Sequence, residues 1–140
     1  MARGGFDYSE FIKFYENMQN FSTSFTSWLE QFIYKQGLKF IREVRNLTPV
    51  DTGDLRNHWM IESVRVVGDD VQCEFVNSME YATFVEYGHA KPYKSGAAPG
   101  SEDWVDGYFM MTISLDKIYS EMPKEFDAEF IKFAKSMGIY

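Results

Sequence analysis

Much of what usually carries protein chemistry is scarce in this chain. Cys73 is its only cysteine, and His58 and His89 are its only histidines. A single thiol excludes an intrachain disulfide. Its surroundings, Val71-Gln72-Cys73-Glu74-Phe75, alternate apolar and polar, which places Cys73 on the apolar face of a strand as a small buried hydrophobe. A zinc centre wants three or four well-spaced His, Cys or carboxylate ligands. No such set is present, so neither a metal nor another cofactor is expected. Gly96, Gly100 and Gly107 do not fit the G-x-x-x-x-G-K-S/T phosphate loop. No run approaches the roughly 18 apolar residues of a membrane-spanning helix. The opening Met1-Ala2-Arg3-Gly4-Gly5 lacks the apolar core of a secretion signal, so synthesis in a cytoplasm and no membrane partner are expected. Positive charge is short as well: 14 Lys and Arg stand against 21 Asp and Glu, a formal net charge of −7. Affinity for nucleic acid comes chiefly from basic groups that release counterions. Sequence-specific nucleic-acid binding is therefore not expected, although an acidic ring would still be able to surround DNA without adhering to it.

Aromatic residues, by contrast, are abundant: 13 Phe, 9 Tyr and 3 Trp make up 18% of the 140 residues. A single domain of this size buries roughly two-thirds of its unfolded surface. Rings in such number either fill a monomer core or are shared with other subunits, since aromatics are enriched at interface cores. Burial in an oligomer is the expectation.

Along the chain, Phe11, Phe14, Met18, Phe21, Phe25, Trp28, Phe32, Phe40 and Val44 step by three and four, as a helical stripe does. Asp7 and Glu10 are spaced as an N-cap and its partner three residues on. Asn20 to Ser24 is rich in side chains that compete for backbone hydrogen bonds, so two helices are expected, the second from Ser24 to Asn46. The stripe belongs to the core or docks on a neighbouring subunit. Gly37, costly inside a helix, suggests close packing there. Pro49 ends the helical region, and Asp51-Thr52-Gly53 is turn chemistry. Trp59–Val67 and Val71–Asn77, separated by Gly68-Asp69-Asp70, form a β-hairpin, the second strand cleanly alternating and the first blurred by Val64, Val66 and Val67.

Tyr81, Phe84, Val85 and Gly88 fit one face of a short helix that ends at a left-handed Gly88; Tyr81, Thr83, Val85 and Tyr87 would equally suit a strand. His89–Asp103 is a long, mobile loop rich in Pro, Gly and Ser. After Trp104 two helices are expected, interrupted at Pro123 and closed by Gly138. The fold class is α+β: long N-terminal helices, a small antiparallel sheet built on a hairpin, a short helix and two C-terminal helices. One domain covers 1–140, with a helical part at 1–46, a central part at 47–109, the mobile loop at 89–103 and the C-terminal helices at 108–140.

Catalytic constellations are weak. Cys73, His89 and Glu86 would need a thiol that ionises, which an apolar strand face opposes. Asp51-Thr52-Gly53 matches the D-T-G triplet of aspartic proteases, but that chemistry needs two carboxylates sharing a proton in a β-rich setting, not one triplet after a long helix. A structural turn made by Pro49, Asp51, Thr52, Gly53 and Arg56 is the expectation. An Arg fork suits a carboxylate, so Arg56 either pairs with Glu86 or both are solvated.

The sequence Thr48-Pro49-Val50-Asp51-Thr52-Gly53-Asp54-Leu55-Arg56 is followed in order by Asn77, Tyr81-Ala82, Glu86-Tyr87-Gly88-His89 and Trp104-Val105-x-Gly107-x-Phe109. This order resembles the head–tail joining (neck, or tail-completion) proteins of long-tailed double-stranded DNA bacteriophages, the gene-ten-like family. The flanks carry no motif that matches. The resemblance implies a non-enzymatic virion protein that assembles as a homo-oligomeric ring, usually a hexamer, made in the host cytoplasm and resident in the neck or tail. It implies other phage head, neck and tail proteins as partners. Lys91, Tyr93 and Lys94, in an otherwise acidic chain, mark the 89–103 loop either as a docking finger that orders on assembly or as a connector. A minor tail protein or tail terminator is the nearest alternative, and a hydrolase using Asp51 or a host-directed binding module the more distant ones.

Overall fold

A computed structural model describes residues 9–50 and 53–139. The order is α1 (Ser9–Leu47), α2 (Asp54–Asn57), β1 (Trp59–Val67), β2 (Asp70–Asn77), α3 (Ala82–Tyr87), β3 (Gly88–Ala90), β4 (Trp104–Asp106) and α4 (Met110–Ser136). This is an α+β fold, as expected. The expected cap at Asp7 lies outside the described residues. Among those described, no helix is long and apolar enough to cross a membrane.

Helix α1 is continuous, so the break expected at Asn20–Ser24 is corrected. The hydroxyls of Thr23 and Thr26 donate to the carbonyls of Gln19 and Ser22, one turn back, at 3.2 and 3.3 Å. They thus bond within the helix rather than disrupt it. Phe21 and Phe25, inside or beside the expected break, pack on α4, with ring centroids 5.5 Å from Phe133 and 5.9 Å from Phe130 respectively. Tertiary packing of an apolar stripe outweighs local propensity. Helix α4 is likewise one helix and not two, with Pro123 inside it. Proline frees the carbonyl one turn earlier, that of Tyr119. Both residues lie on the exposed side of α4, where water can take the lost partner's place.

The two long helices run antiparallel. Phe21, Phe25, Trp28 and Phe32 of α1 meet Phe126, Phe130 and Phe133 of α4, with Trp28 centroid distances of 5.4 Å to Phe126 and 5.2 Å to Phe133. Seven rings of the aromatic excess are therefore used within the chain. Further along, Lys39 pairs with Glu121 and Glu125, Gln36 donates to Glu125 at 2.8 Å, and Lys117 pairs with Glu43. The hydrogen bond from Lys39, and after it that from Gln36, hold the Glu125 carboxyl below its ordinary value of 4.5. The bond to Glu125 likewise raises Lys39 above 10.5. A lowered carboxylate adds stability that is present above its ordinary pKa and lost as pH falls through the lowered one; the raised lysine adds stability until pH climbs through its raised value. Glu125→Gln should therefore cost at most about 1 kcal/mol, the scale of a solvent-accessible pair, between about pH 5 and 10. The gap to wild type should narrow as pH falls below 4.5 and close once it has passed the lowered value, in urea titrations read across pH.

The hairpin lies on the C-terminal half of α1. Its register pairs Ile61 with Phe75, Val64 with Cys73 and Val66 with Val71, with a bulge between Ile61 and Ser63. Residues directly opposite share a face, so β1 turns Trp59 and Ile61 toward α1, then Val64 and Val66. The bulge shifts the parity by one, which is why the alternation of β1 is blurred in sequence. Gly37 of α1 sits beneath the hairpin: a Cβ there would lie 2.8 Å from Cys73 Sγ and 3.0 Å from Ile61 Cδ1. The close packing inferred from Gly37 is present. The core gathers Phe40, Ile41, Val44, Leu55, Trp59, Met110 and Ile118, with Phe40 stacked on Phe75 at 3.9 Å. On the N-terminal side of Phe21, α1 continues beyond the end of α4 and carries Ile12, Tyr15 and Met18 exposed.

Candidate functional site

The motif residues converge where α1 ends, β1 begins and α4 begins. Thr48, buried, is the hub. Its hydroxyl accepts from Trp59 Nε1 at 2.9 Å and lies against the Val44 carbonyl and, at 3.4 Å, Met110 Sδ. One side chain thus ties three elements together. The sequence marks Thr48 as part of the motif without revealing this role; its place directly before Pro49 is the available signal. Pro49 is half-buried. Asp51 and Thr52, including the D-T-G reading of Asp51, lie outside the described residues. Gly53 takes φ 83° at the N-cap of α2, a left-handed conformation in which glycine is unstrained.

Arg56 does not pair with Glu86. Its Nε donates to the carbonyl of Arg45 at 2.8 Å, serving one of the unsatisfied carbonyls that every helix C-terminus carries. Asn77 Nδ2 donates to the Leu55 carbonyl at 2.7 Å, while its Oδ1 accepts from Met79 N at 3.0 Å. One asparagine therefore locks β2 to α2 and opens the turn into α3.

Glu86 has a different partner set. Only 3% exposed, its carboxylate accepts from Met111 N at 2.8 Å, Thr112 N at 3.0 Å and Thr112 Oγ1 at 2.9 Å. The N-cap residue of α4, Phe109, has φ 49° and offers no side-chain cap. Glu86 supplies that cap from α3 and places negative charge at the positive end of the helix. The expected short helix is present; of its expected face Val85 and Gly88 turn inward, but Tyr81 and Phe84 are exposed and Ala82 and Glu86 take their place. Gly88 follows with φ 86° and ψ 177°, positive in φ yet not the left-handed helical cap expected.

Gly88 and Gly107 cross with their backbones in contact. A Cβ on Gly107 would stand 2.6 Å from both Gly88 N and Tyr87 C, and one on Gly88 2.7 Å from Trp104 Nε1. His89 and Ala90 are strand residues paired with Val105 and Trp104, so the expected loop starts only after Ala90. The β3–β4 ladder and the bond from Lys91 N to the Asp103 carbonyl at 2.7 Å close its ends. Lys91, Tyr93 and Lys94 are exposed, Tyr93 fully so and with φ 65°. Lys94 Nζ stands 4.0 Å from Asp103.

With the polar groups turned inward, aromatic rings are left outside. Tyr81, Phe84 and Tyr87 of α3 and its N-cap, with Tyr108 and Phe109 before α4, are all exposed, Phe84 at 57%. Tyr87 and Phe109 meet edge to face at 6.4 Å. Among the described residues no group of His, Cys, Asp and Glu is placed to hold a metal. Burial pushes the Cys73 thiol above its ordinary range, which disfavours a nucleophilic thiolate. What this arrangement offers chemically is an apolar contact surface on a rigid bracket.

Residues 12–88, more than half of the chain, match a family described as "Bacteriophage HK97-gp10, putative tail-component". The match takes in α1, whose sequence offers no motif of its own, and stops before Trp104 and Gly107. No curated protein and no solved structure matches the chain.

Proposed function

We propose, from the premise that this chain belongs to the HK97-gp10-like family of bacteriophage tail components, that it is a ring-forming neck subunit joining the head to the tail. The observation that carries this reading is the exposed aromatic group Tyr81, Phe84, Tyr87, Tyr108 and Phe109, held by a bracket of buried polar bonds. Aromatics clustered on a rigid surface are the usual anchors of protein interfaces. The patch lies at the α4 N-terminal end of the long-helix pair, and the apolar overhang of α1 at the other. A subunit with an apolar surface at each end can bridge two neighbours along an axis. In this role it is a structural protein, not an enzyme, and its partners are copies of itself and other head, neck and tail proteins of the virion.

The test is a phage lacking the gene, viewed by electron microscopy. Complete tails and DNA-filled heads that fail to join are expected. Supplying Phe84→Asp in trans should leave them unjoined, because Phe84 is exposed and its loss spares the fold. Joined particles with tails of irregular length would instead indicate a terminator, and absent tails a tail-building role; either would overturn the neck reading.

A further inference from the structure

We infer that copies of this chain join side by side through the hairpin, β1 of one adding to the free edge of β2 of the next, so that the ring is lined by one closed antiparallel sheet. This rests on the ring reading above. The hairpin is a two-stranded sheet of its own, so each strand keeps one edge whose backbone N–H and C=O groups have no strand partner. Such edges template pairing with another chain unless they are covered or blunted. Arg45 Nη2 covers the start of the β1 edge by donating to the Trp59 carbonyl at 3.0 Å. From Met60 to Val67, among the described residues, the only strand alongside is β2.

The two edges have different surroundings. The β1 edge is flanked by the exposed side chains of Tyr34 and Leu38 on α1 and by Met60. The β2 edge opens on a groove of about 450 Å³, floored by Gly37 and Phe40 and walled by Leu115 and Tyr119 of α4. The β1 edge borders a hollow of its own, about 570 Å³, between Tyr34, Leu38 and the strand, so both edges offer apolar surface to a neighbour. Charge differs between the strands: β1 carries Glu62 and Arg65, the hairpin's only basic residue, and is neutral, while β2 carries Asp70 and Glu74. Within the hairpin Arg65 already pairs with Glu74 at 2.6 Å.

Pairing β2 with β2 would set acid against acid and leave both β1 edges open. Pairing unlike edges satisfies both, keeps every strand antiparallel to its neighbours under a rotation about one axis, and removes the edges altogether on closure. It is also the heterologous kind of contact that a ring requires.

The experiment is light scattering of the full-length protein across concentration, with hydrogen exchange measured on the dilute and the assembled species. The expected result is a discrete closed oligomer in which outward-facing amides of β1 and β2 exchange at least about tenfold more slowly than in the subunit. Arg65→Glu, which makes β1 acidic as β2 is, should lose the oligomer with the subunit's circular dichroism unchanged. An oligomer whose strand amides exchange as fast as in the subunit overturns the edge contact while leaving the ring reading intact. A dimer protected on one edge alone overturns it in favour of like-edge pairing. A monomer at every concentration overturns both.

Discussion

Replacing Gly107 by alanine is expected to destabilise the protein by roughly 3 kcal/mol, the upper end of overpacking costs. The added methyl would meet Gly88 N and Tyr87 C at 2.6 Å. These are backbone atoms and cannot swing aside as the tip of a long side chain does. Nor can the approach be opened cheaply. Tyr108 N and Phe109 N donate to the Val85 and Glu86 carbonyls at 2.8 and 3.0 Å, so the segment next to Gly107 is clamped to the last turn of α3. Moving Gly107 outward breaks those bonds and withdraws the start of α4 from its cap. Gly100→Ala makes a suitable control. Unlike Gly107, that glycine has a positive φ, 84°, but nothing lies within 4 Å of where the methyl would stand, so only conformational strain of about 1 kcal/mol should appear. Urea denaturation midpoints at constant slope would separate the two. Equal costs at both positions would mean that the crossing of Gly88 and Gly107 relaxes freely.

The same crossing explains why the two glycine motifs occur together although 19 positions separate them in number. Each glycine is small because the other is there. Family resemblance groups the two, but the contact has no signature in sequence, since nothing local to either signals a backbone approach. Other parts are legible for physical reasons. The β2 alternation survives because that strand has no bulge, whereas the irregularity between Ile61 and Ser63 scrambles β1. The apolar stripe of α1 is visible at Phe21, Phe25 and Trp28. The break expected among them is absent, because single-helix propensity knows nothing of the Phe130 and Phe133 rings lying opposite. Pro123 misleads in the same way. Among the polar residues the sequence points to the right side chains and the wrong partners. A side chain's charge suggests another charge, but Arg56 and Glu86 both bond to backbone groups at helix ends, and backbone groups are the same in every sequence.

That confusion makes Glu86 the second position where a large effect is expected. Glu86→Ala removes the acceptor for two backbone N–H groups and one hydroxyl at the start of α4. Hydrogen bonds to a charged group contribute about 1.5–3 kcal/mol each and do not add in full, and the favourable field at the helix N-terminus is lost with them. A total near 3 kcal/mol is expected, with a fall in melting temperature of roughly 10 °C for a domain of this size. Glu86→Gln keeps the shape and one acceptor oxygen but turns an amide toward the other donors, so it should recover about half of the loss. If Glu86 were instead a solvated surface charge, both variants would stay within about 0.5 kcal/mol of wild type. The effect should also reach the outer surface. Glu86 lies between Val85, which packs on the core, and Tyr87, whose ring meets Phe109. Freeing α4 from α3 separates the two halves of the aromatic patch. Glu86→Ala should therefore lower the yield of joined particles even at temperatures where the subunit remains folded, while Glu125→Gln, remote from the patch, should leave that yield unchanged.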